Sequence, residues 1–168
     1  DITRTFPVNG VFSAEQRALH DLVGAAHAEA LQQARPGVPY EEIHLAAVEV
    51  LTEGLLRLGL LKGSLEENIA ERHYQRFYRH KTGHWLGLDV HDVGEYRVSG
   101  ESRLLEPGMV LTIEPGLYIG HDDRDVEPRW RGIGIRTEDD VLITGEGHCV
   151  LTADLARSAD EIEQEMAG

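Results

Sequence analysis

The sequence predicts an α+β fold, with helices packed on one face of a mainly antiparallel sheet. Three observations carry that expectation. Apolar residues recur at helical spacing from Ser13 to Gly59. After Arg72 the texture changes to Gly-punctuated, β-branched segments. Two such runs near the C-terminal end are then separated by a polar loop and not by a helix, which argues against a parallel βαβ winding.

The elements follow in order. Ser13-Ala14-Glu15-Gln16 has the form of a capping box, and Leu19, Leu22, Val23, Ala26, Ala30 and Leu31 then mark an amphipathic helix that Pro36-Gly37 stops. A second helix begins near Pro39, with Glu41 and Glu42 placed favourably for the helix dipole. It carries Ile43, Ala46, Ala47, Val50, Leu51, Leu55 and Leu58 to Gly59. These two helices are expected to pack side by side, with a short helical piece from Ser64 to Arg72 after them. Met109 to Ile119 and Ile133 to Thr144 read as strands, divided by the loop His121 to Arg131. Ser158 and Glu161 stand at capping-box spacing at the head of a closing helix to Met166. No repeat, low-complexity tract or inter-domain linker interrupts the chain, so residues 1–168 read as one unit.

Composition narrows the function. A content of 41% hydrophobic residues over 168 positions suffices for a single core. Sixteen Lys and Arg against 30 Asp and Glu give a net charge of -14, which repels nucleic-acid phosphates and anionic membrane surfaces and leaves carboxylates available for cations. The lone Cys149 rules out an internal disulfide or a thiolate-rich metal site and points to a reducing compartment. No run approaches the ~20 apolar residues of a membrane span, and Asp1-Ile2-Thr3-Arg4 lacks the pattern of a signal peptide. A soluble, cytoplasmic protein is expected. The absence of an initiator Met implies a polypeptide that started upstream or was trimmed.

Three segments carry chemistry. In the run His80 to Asp92, His80, His84 and His91 lie among glycines that allow close backbone approach, and imidazole offers both metal ligation and acid/base groups. Glu114 ends the apolar run Met109 to Ile113, where a buried carboxylate is costly unless something positive meets it. Alternation puts Val110, Thr112 and Glu114 on one face, and likewise Gly134, Arg136 and Glu138. Each segment alone has a bland reading: packed histidines, a strand end turned to water, an ordinary Arg–Glu pair. Together, one histidine and several carboxylates suit a pair of divalent cations such as Mn²⁺, Co²⁺ or Zn²⁺. His20 and His27 read as surface residues, and His121-Asp122-Asp123 as a solvated loop. His44, His73 and His148 receive no role.

Asp1-Ile-Thr-Arg-Thr-Phe-Pro, His80 to Asp92, Ile113-Glu-Pro-Gly-Leu-Tyr and Gly132-Ile-Gly-Ile-Arg-Thr-Glu-Asp-Asp resemble the signature segments of the pita-bread (creatinase/aminopeptidase) metallopeptidases. The surroundings of His84 to Asp92 are most similar to those of bacterial Xaa-Pro aminopeptidases (aminopeptidase P). The resemblance covers nearly the whole chain. It implies that residues 1–168 are the C-terminal part of a catalytic domain with a curved, mainly antiparallel sheet, the upstream part and an N-terminal domain being absent.

The implied activity is removal of an N-terminal residue preceding proline, by metal-activated water. The alternatives are an Xaa-Pro dipeptidase or a non-catalytic peptide-binding module of the same fold. By the resemblance Asp1, His84, Glu114 and Glu138 are metal ligands, for two ions expected to be Mn²⁺. Glu114 doubles as general acid/base, while His80 and His91 hold the peptide and offset developing charge. Arg136 and Tyr118 lie by the proline pocket. The family's fifth ligand, an aspartate on a preceding strand, has no counterpart, so this polypeptide alone is expected to be inactive. The full-length form is expected to be a homo-oligomer acting on peptides with proline in second position.

Overall fold

The computed structural model describes all 168 residues, Asp1 to Gly168. Helices α1 (Ala14–Gln33), α2 (Tyr40–Arg57) and α3 (Leu65–Ala70) come first. Strands β1 (Arg97–Val98), β2 (Glu101–Ser102), β3 (Val110–Ile113), β4 (Gly116–Tyr118), β5 (Gly134–Arg136), β6 (Asp139–Ile143) and β7 (His148–Val150) follow, and α4 (Ala159–Ala167) closes the chain. Every strand pairing is antiparallel. No helix is long and apolar enough to cross a membrane.

The Ser13 hydroxyl caps α1 by accepting from Gln16 N, while the Gln16 side chain accepts from Ser13 N, so two otherwise orphaned donors are met. The stripe Leu19, Val23, Ala26 and Ala30 is fully buried, and α1 lies against α2 and against β3, β4 and β5. Gly54 makes the helix–helix approach possible, because a Cβ there would enter the Leu22 side chain. From the sheet, Leu111, Ile113, Leu117, Ile135, Val141 and Ile143 join one core with these helices. Helix α4, with its own capping box from Ser158 and Glu161, buries Ala159 and Ile162 against Phe12 in a small second cluster.

The two long strands expected from the sequence are each broken in two. β3 and β4 are interrupted at Glu114-Pro115, and β5 and β6 at Thr137-Glu138. The breaks face each other, since Ile113 pairs with Asp139 and Gly116 with Arg136. Proline cannot donate to a ladder, so pairing lapses there and the hairpin bends. Two irregular segments extend the sheet. Residues 82–86 run beside β3, with Thr112 N donating to the His84 carbonyl at 2.9 Å and Glu114 N to the Thr82 carbonyl at 2.7 Å. On the other side Thr3 bridges Glu138. Neither the β1–β2 hairpin nor β7 was expected from the sequence.

Candidate metal centre

Four adjacent lanes of this sheet, in spatial order residues 1–5, the β5–β6 break, the β3–β4 break and residues 82–86, carry Asp1, Glu138, Glu114 and His84 respectively. Neighbouring lanes lie about 5 Å apart, so residues at one level of successive lanes come within shared reach of a cation. Ligand atoms of His84, Glu114 and Glu138 fall within 4.8 Å of one another, and those of Asp1, His84 and His91 form a second such group through the shared His84. His84 Nε2 lies 3.3 Å from Asp1 Oδ2 and 3.5 Å from Glu114 Oε1.

The surroundings fix these groups. His84 Nδ1 lies 3.0 Å from the Trp85 carbonyl. A carbonyl can only accept, so a proton is assigned to Nδ1, and in the neutral ring that a metal requires the lone pair is then on Nε2. That Nε2 is buried without a hydrogen-bond partner and faces carboxylate oxygens. An acceptor turned towards acceptors is unfavourable unless a cation stands between them, so the donor set fits a divalent metal. Thr112 Oγ1 accepts from His84 N at 3.1 Å and donates to Glu114 Oε1 at 3.3 Å, tying two ligand-bearing lanes together. Glu138, almost wholly buried, accepts a short hydrogen bond from the Thr3 hydroxyl. Arg136 Nε donates to that hydroxyl at 3.1 Å and stands 3.8 Å from Glu138 Oε2. The common face expected for Arg136 and Glu138 is thus present despite the break in the strand.

His80 and Tyr118 form a second group. Tyr118 donates to His80 Nε2 at 2.8 Å, while His80 Nδ1 donates to the Lys81 carbonyl at 2.7 Å. Burial pushes the Tyr118 phenol above its ordinary value, with the Arg136 guanidinium opposing the rise. His91 is exposed and meets the His84 ring edge-on at a centroid distance of 4.4 Å.

Several residues the sequence reading passed over matter here. Thr3 and Thr112 hold ligand carboxylates, and alternation had already put Thr112 on the face of Glu114. His44 Nδ1 and the Tyr78 hydroxyl converge on the buried Thr82 hydroxyl at 2.8 and 2.6 Å, behind the lane that carries His84. His20 and His27, read as surface residues, are buried. His20 packs on the Phe12 ring, and His27 Nε2 lies 3.1 Å from Asp139 Oδ2. His121 stays in the loop, where Asp123 pairs with Arg76.

The profile of metallopeptidase family M24 matches residues 1–145. The Xaa-Pro aminopeptidase of Escherichia coli is 50% identical over 97% of this chain and 36% of its own length. Human Xaa-Pro aminopeptidase 3 is 40% identical over 98% of this chain and 32% of its own. The solved structure of an aminopeptidase from Pseudomonas aeruginosa superposes with a TM-score of 0.98 at 55% identity, covering 99% of this chain and 38% of that one. A zinc-substituted E. coli aminopeptidase P in complex with product superposes at 0.94, with 49% identity. The chain therefore spans little more than a third of the length of these relatives, and the bent antiparallel sheet with helices on one face is theirs as well.

Proposed function

The chain belongs to metallopeptidase family M24, and from that premise we propose that it supplies most of the metal-binding half of an exopeptidase that removes an N-terminal residue preceding proline. The observation that carries the reading is the buried, partnerless Nε2 of His84 aimed at the carboxylates of Asp1 and Glu114. Asp1, His84, Glu114 and Glu138 would hold the metal, which we take to be two divalent ions and, given the oxygen-dominated donors, Mn²⁺, with Co²⁺ or Zn²⁺ as substitutes. When bound, such ions acidify water and polarise a carbonyl.

The chain's own groups do the rest. Glu114, held by Thr112, accepts the proton of the attacking water and returns it to the leaving proline nitrogen. His91, at the rim beside His84, donates to the carbonyl oxygen as negative charge develops there. His80, steadied by Tyr118, and Arg136, whose side chain is 41% exposed, hold the peptide on either side of the bond to be cut. Thr3 keeps one Glu138 oxygen in a hydrogen bond and so orients the other.

We take residues 1–168 as the C-terminal part of a catalytic domain, in line with the 36–38% of the relatives' length that they span. On that reading the chain by itself turns over little, and exposed Leu88, Val90 and Val93 meet further parts of the protein or further copies of it. The test is hydrolysis of Xaa-Pro-Yaa tripeptides and Xaa-Pro dipeptides by the protein as naturally expressed, with calorimetric Mn²⁺ titration alongside. Tripeptide cleavage that depends on Mn²⁺ and is lost in His84→Ala is expected. Cleavage of dipeptides alone, or unaltered metal binding in His84→Ala, would overturn the assignment.

A further inference from the structure

The two lanes that carry Asp1 and Glu138 share one isolated backbone bridge, Thr3 opposite Glu138, whose hydrogen bonds measure 3.4 and 3.0 Å, and beyond it the Thr5 hydroxyl exchanges two 3.0 Å hydrogen bonds with the Arg136 backbone. A buried charged cluster lies against that bridge and touches neither the ligand oxygens nor the groups assigned to the substrate. Arg4 NH1 donates to the carbonyls of both bridge residues, Thr3 at 2.9 Å and Glu138 at 2.7 Å. Its NH2 donates to Asp139 Oδ1 at 2.6 Å and its Nε to the Ala156 carbonyl at 2.8 Å. Asp139 is wholly buried. It also accepts from the Thr152 hydroxyl at 2.6 Å and from Arg157 NH1 at 3.2 Å. His27 Nε2 stands 3.1 Å from Asp139 Oδ2.

A buried carboxylate and a nearly buried guanidinium are an expensive way to hold two strands, which a few more ladder bonds would hold as well. Their placement suggests what the arrangement secures. Arg4 follows Asp1 by three residues, Asp139 follows Glu138 directly, and the rigid guanidinium fork fixes both lanes against one plane. We propose that Arg4 and Asp139 form a positioning clamp that sets the separation of the Asp1 and Glu138 carboxylates for a pair of divalent cations. The inference rests on the metal reading above. Neither residue touches the metal or the substrate; both act through the ligands.

The test uses the protein as naturally expressed and the variants Arg4→Lys and Asp139→Asn, with Arg17→Gln as a control that breaks surface ion pairs to Asp160 and Glu163. Lysine keeps the charge but cannot reproduce the fork. Mn²⁺ affinity is read by calorimetry, the spacing of the ions by the electron-spin-resonance signal of a coupled pair, and the folded fraction by circular dichroism. In the folded fraction, Arg4→Lys and Asp139→Asn should lose roughly 10- to 100-fold in affinity at the weaker site, the range for groups that orient ligands. They should also exchange the coupled signal for that of isolated ions and lower kcat on an Xaa-Pro-Yaa peptide more than they change KM. Arg17→Gln should leave all three as in the parent.

Folded Arg4→Lys and Asp139→Asn proteins with the parent's affinity and spectrum would overturn the clamp. If both fail to fold, Thr152→Ala, which removes one donor from Asp139, takes their place, and an unchanged affinity and spectrum there would likewise overturn it. A parent that binds no Mn²⁺ sinks the proposed function and the clamp together. A parent that binds and cleaves while its variants match it sinks the clamp alone.

Discussion

Replacing Gly83 with alanine tests how tightly the His84 lane must lie against β3. A Cβ at this position would collide with the Thr112 carbonyl oxygen, a backbone atom that cannot swing aside. The Gly83 φ lies outside the left-handed region, so the penalty is steric and not conformational. Relief requires the lanes to separate at the hydrogen bonds flanking the contact, Thr112 N to His84 O at 2.9 Å and Glu114 N to Thr82 O at 2.7 Å. Overpacking costs about 1–3 kcal/mol and two weakened hydrogen bonds about 1 kcal/mol more. The sum, about 2–4 kcal/mol, lowers the melting temperature by roughly 4–16 °C in a protein of this size. Because His84 N also bonds to Thr112 Oγ1, the imidazole moves with its lane and Mn²⁺ affinity falls in the folded protein. Thermal melting and calorimetric titration on Gly83→Ala read the two effects separately. A melting temperature within 1–2 °C of the parent, with unchanged affinity, would refute the close approach.

Three further outcomes follow from the same packing. Burial, with Lys81 and His80 nearby, depresses the His44 imidazole from 6.5 to about 4. Between those values the unfolded chain holds the extra proton, so stability is fully present above pH 6.5 and declines as pH falls towards about 4, by roughly 2–3 kcal/mol after allowance for partial exposure. Urea titrations of His44→Gln against the parent should show the difference shrinking over that window, and parallel curves would refute it. In Gly54→Ala, a helix-propensity gain of about 1 kcal/mol opposes an overpacking cost of about 1–3 kcal/mol against Leu22, so net destabilisation near 1 kcal/mol is expected on chemical denaturation. Ser13→Ala should cost about 1 kcal/mol by losing the α1 cap, and a change below a few tenths would mean that water replaces it.

Local signals in the sequence reached the helices because the interactions that form them are local. The capping boxes at Ser13 and Ser158 and the stripe Leu19 to Leu31 lie within a few turns of their partners. The break at Glu114-Pro115 had a local signal in Pro115, which the reading of Met109 to Ile119 as one strand passed over, whereas the break at Thr137-Glu138 was not legible, because it depends on the opposite lane. The Arg136–Glu138 face survived because the two residues, though separated by the break, still point the same way. His20 and His27 were misread for a related reason. Helical periodicity shows which face they occupy, but the neighbours lie outside the helix: Phe12, just ahead of it, packs on His20, and Asp139, from β6, meets His27. Arg4 and Asp139 stand within the family signature segments, but nothing local pointed to their contact. The clustering of His84, Glu114 and Glu138 was legible only by resemblance to family motifs, since the sequence gives no distance between segments so far apart.

The row of ligands across four lanes also bears on how long the protein survives. Its members come from remote points: the Thr3–Glu138 contact joins residues 135 apart and the His84–Thr112 contact residues 28 apart. The four proposed ligands, Asp1, His84, Glu114 and Glu138, each come from a separate segment, so the proposed cations would bind the folded form almost exclusively. At a hundredfold excess over Kd, such binding adds about 2.7 kcal/mol to the folded state. That energy would enter as a cross-link tying residues 1–5 to the two strand breaks and to residues 82–86. Chelation should then open the first segment to proteases before the helical core, and the supply of metal would govern the protein's turnover as well as its chemistry.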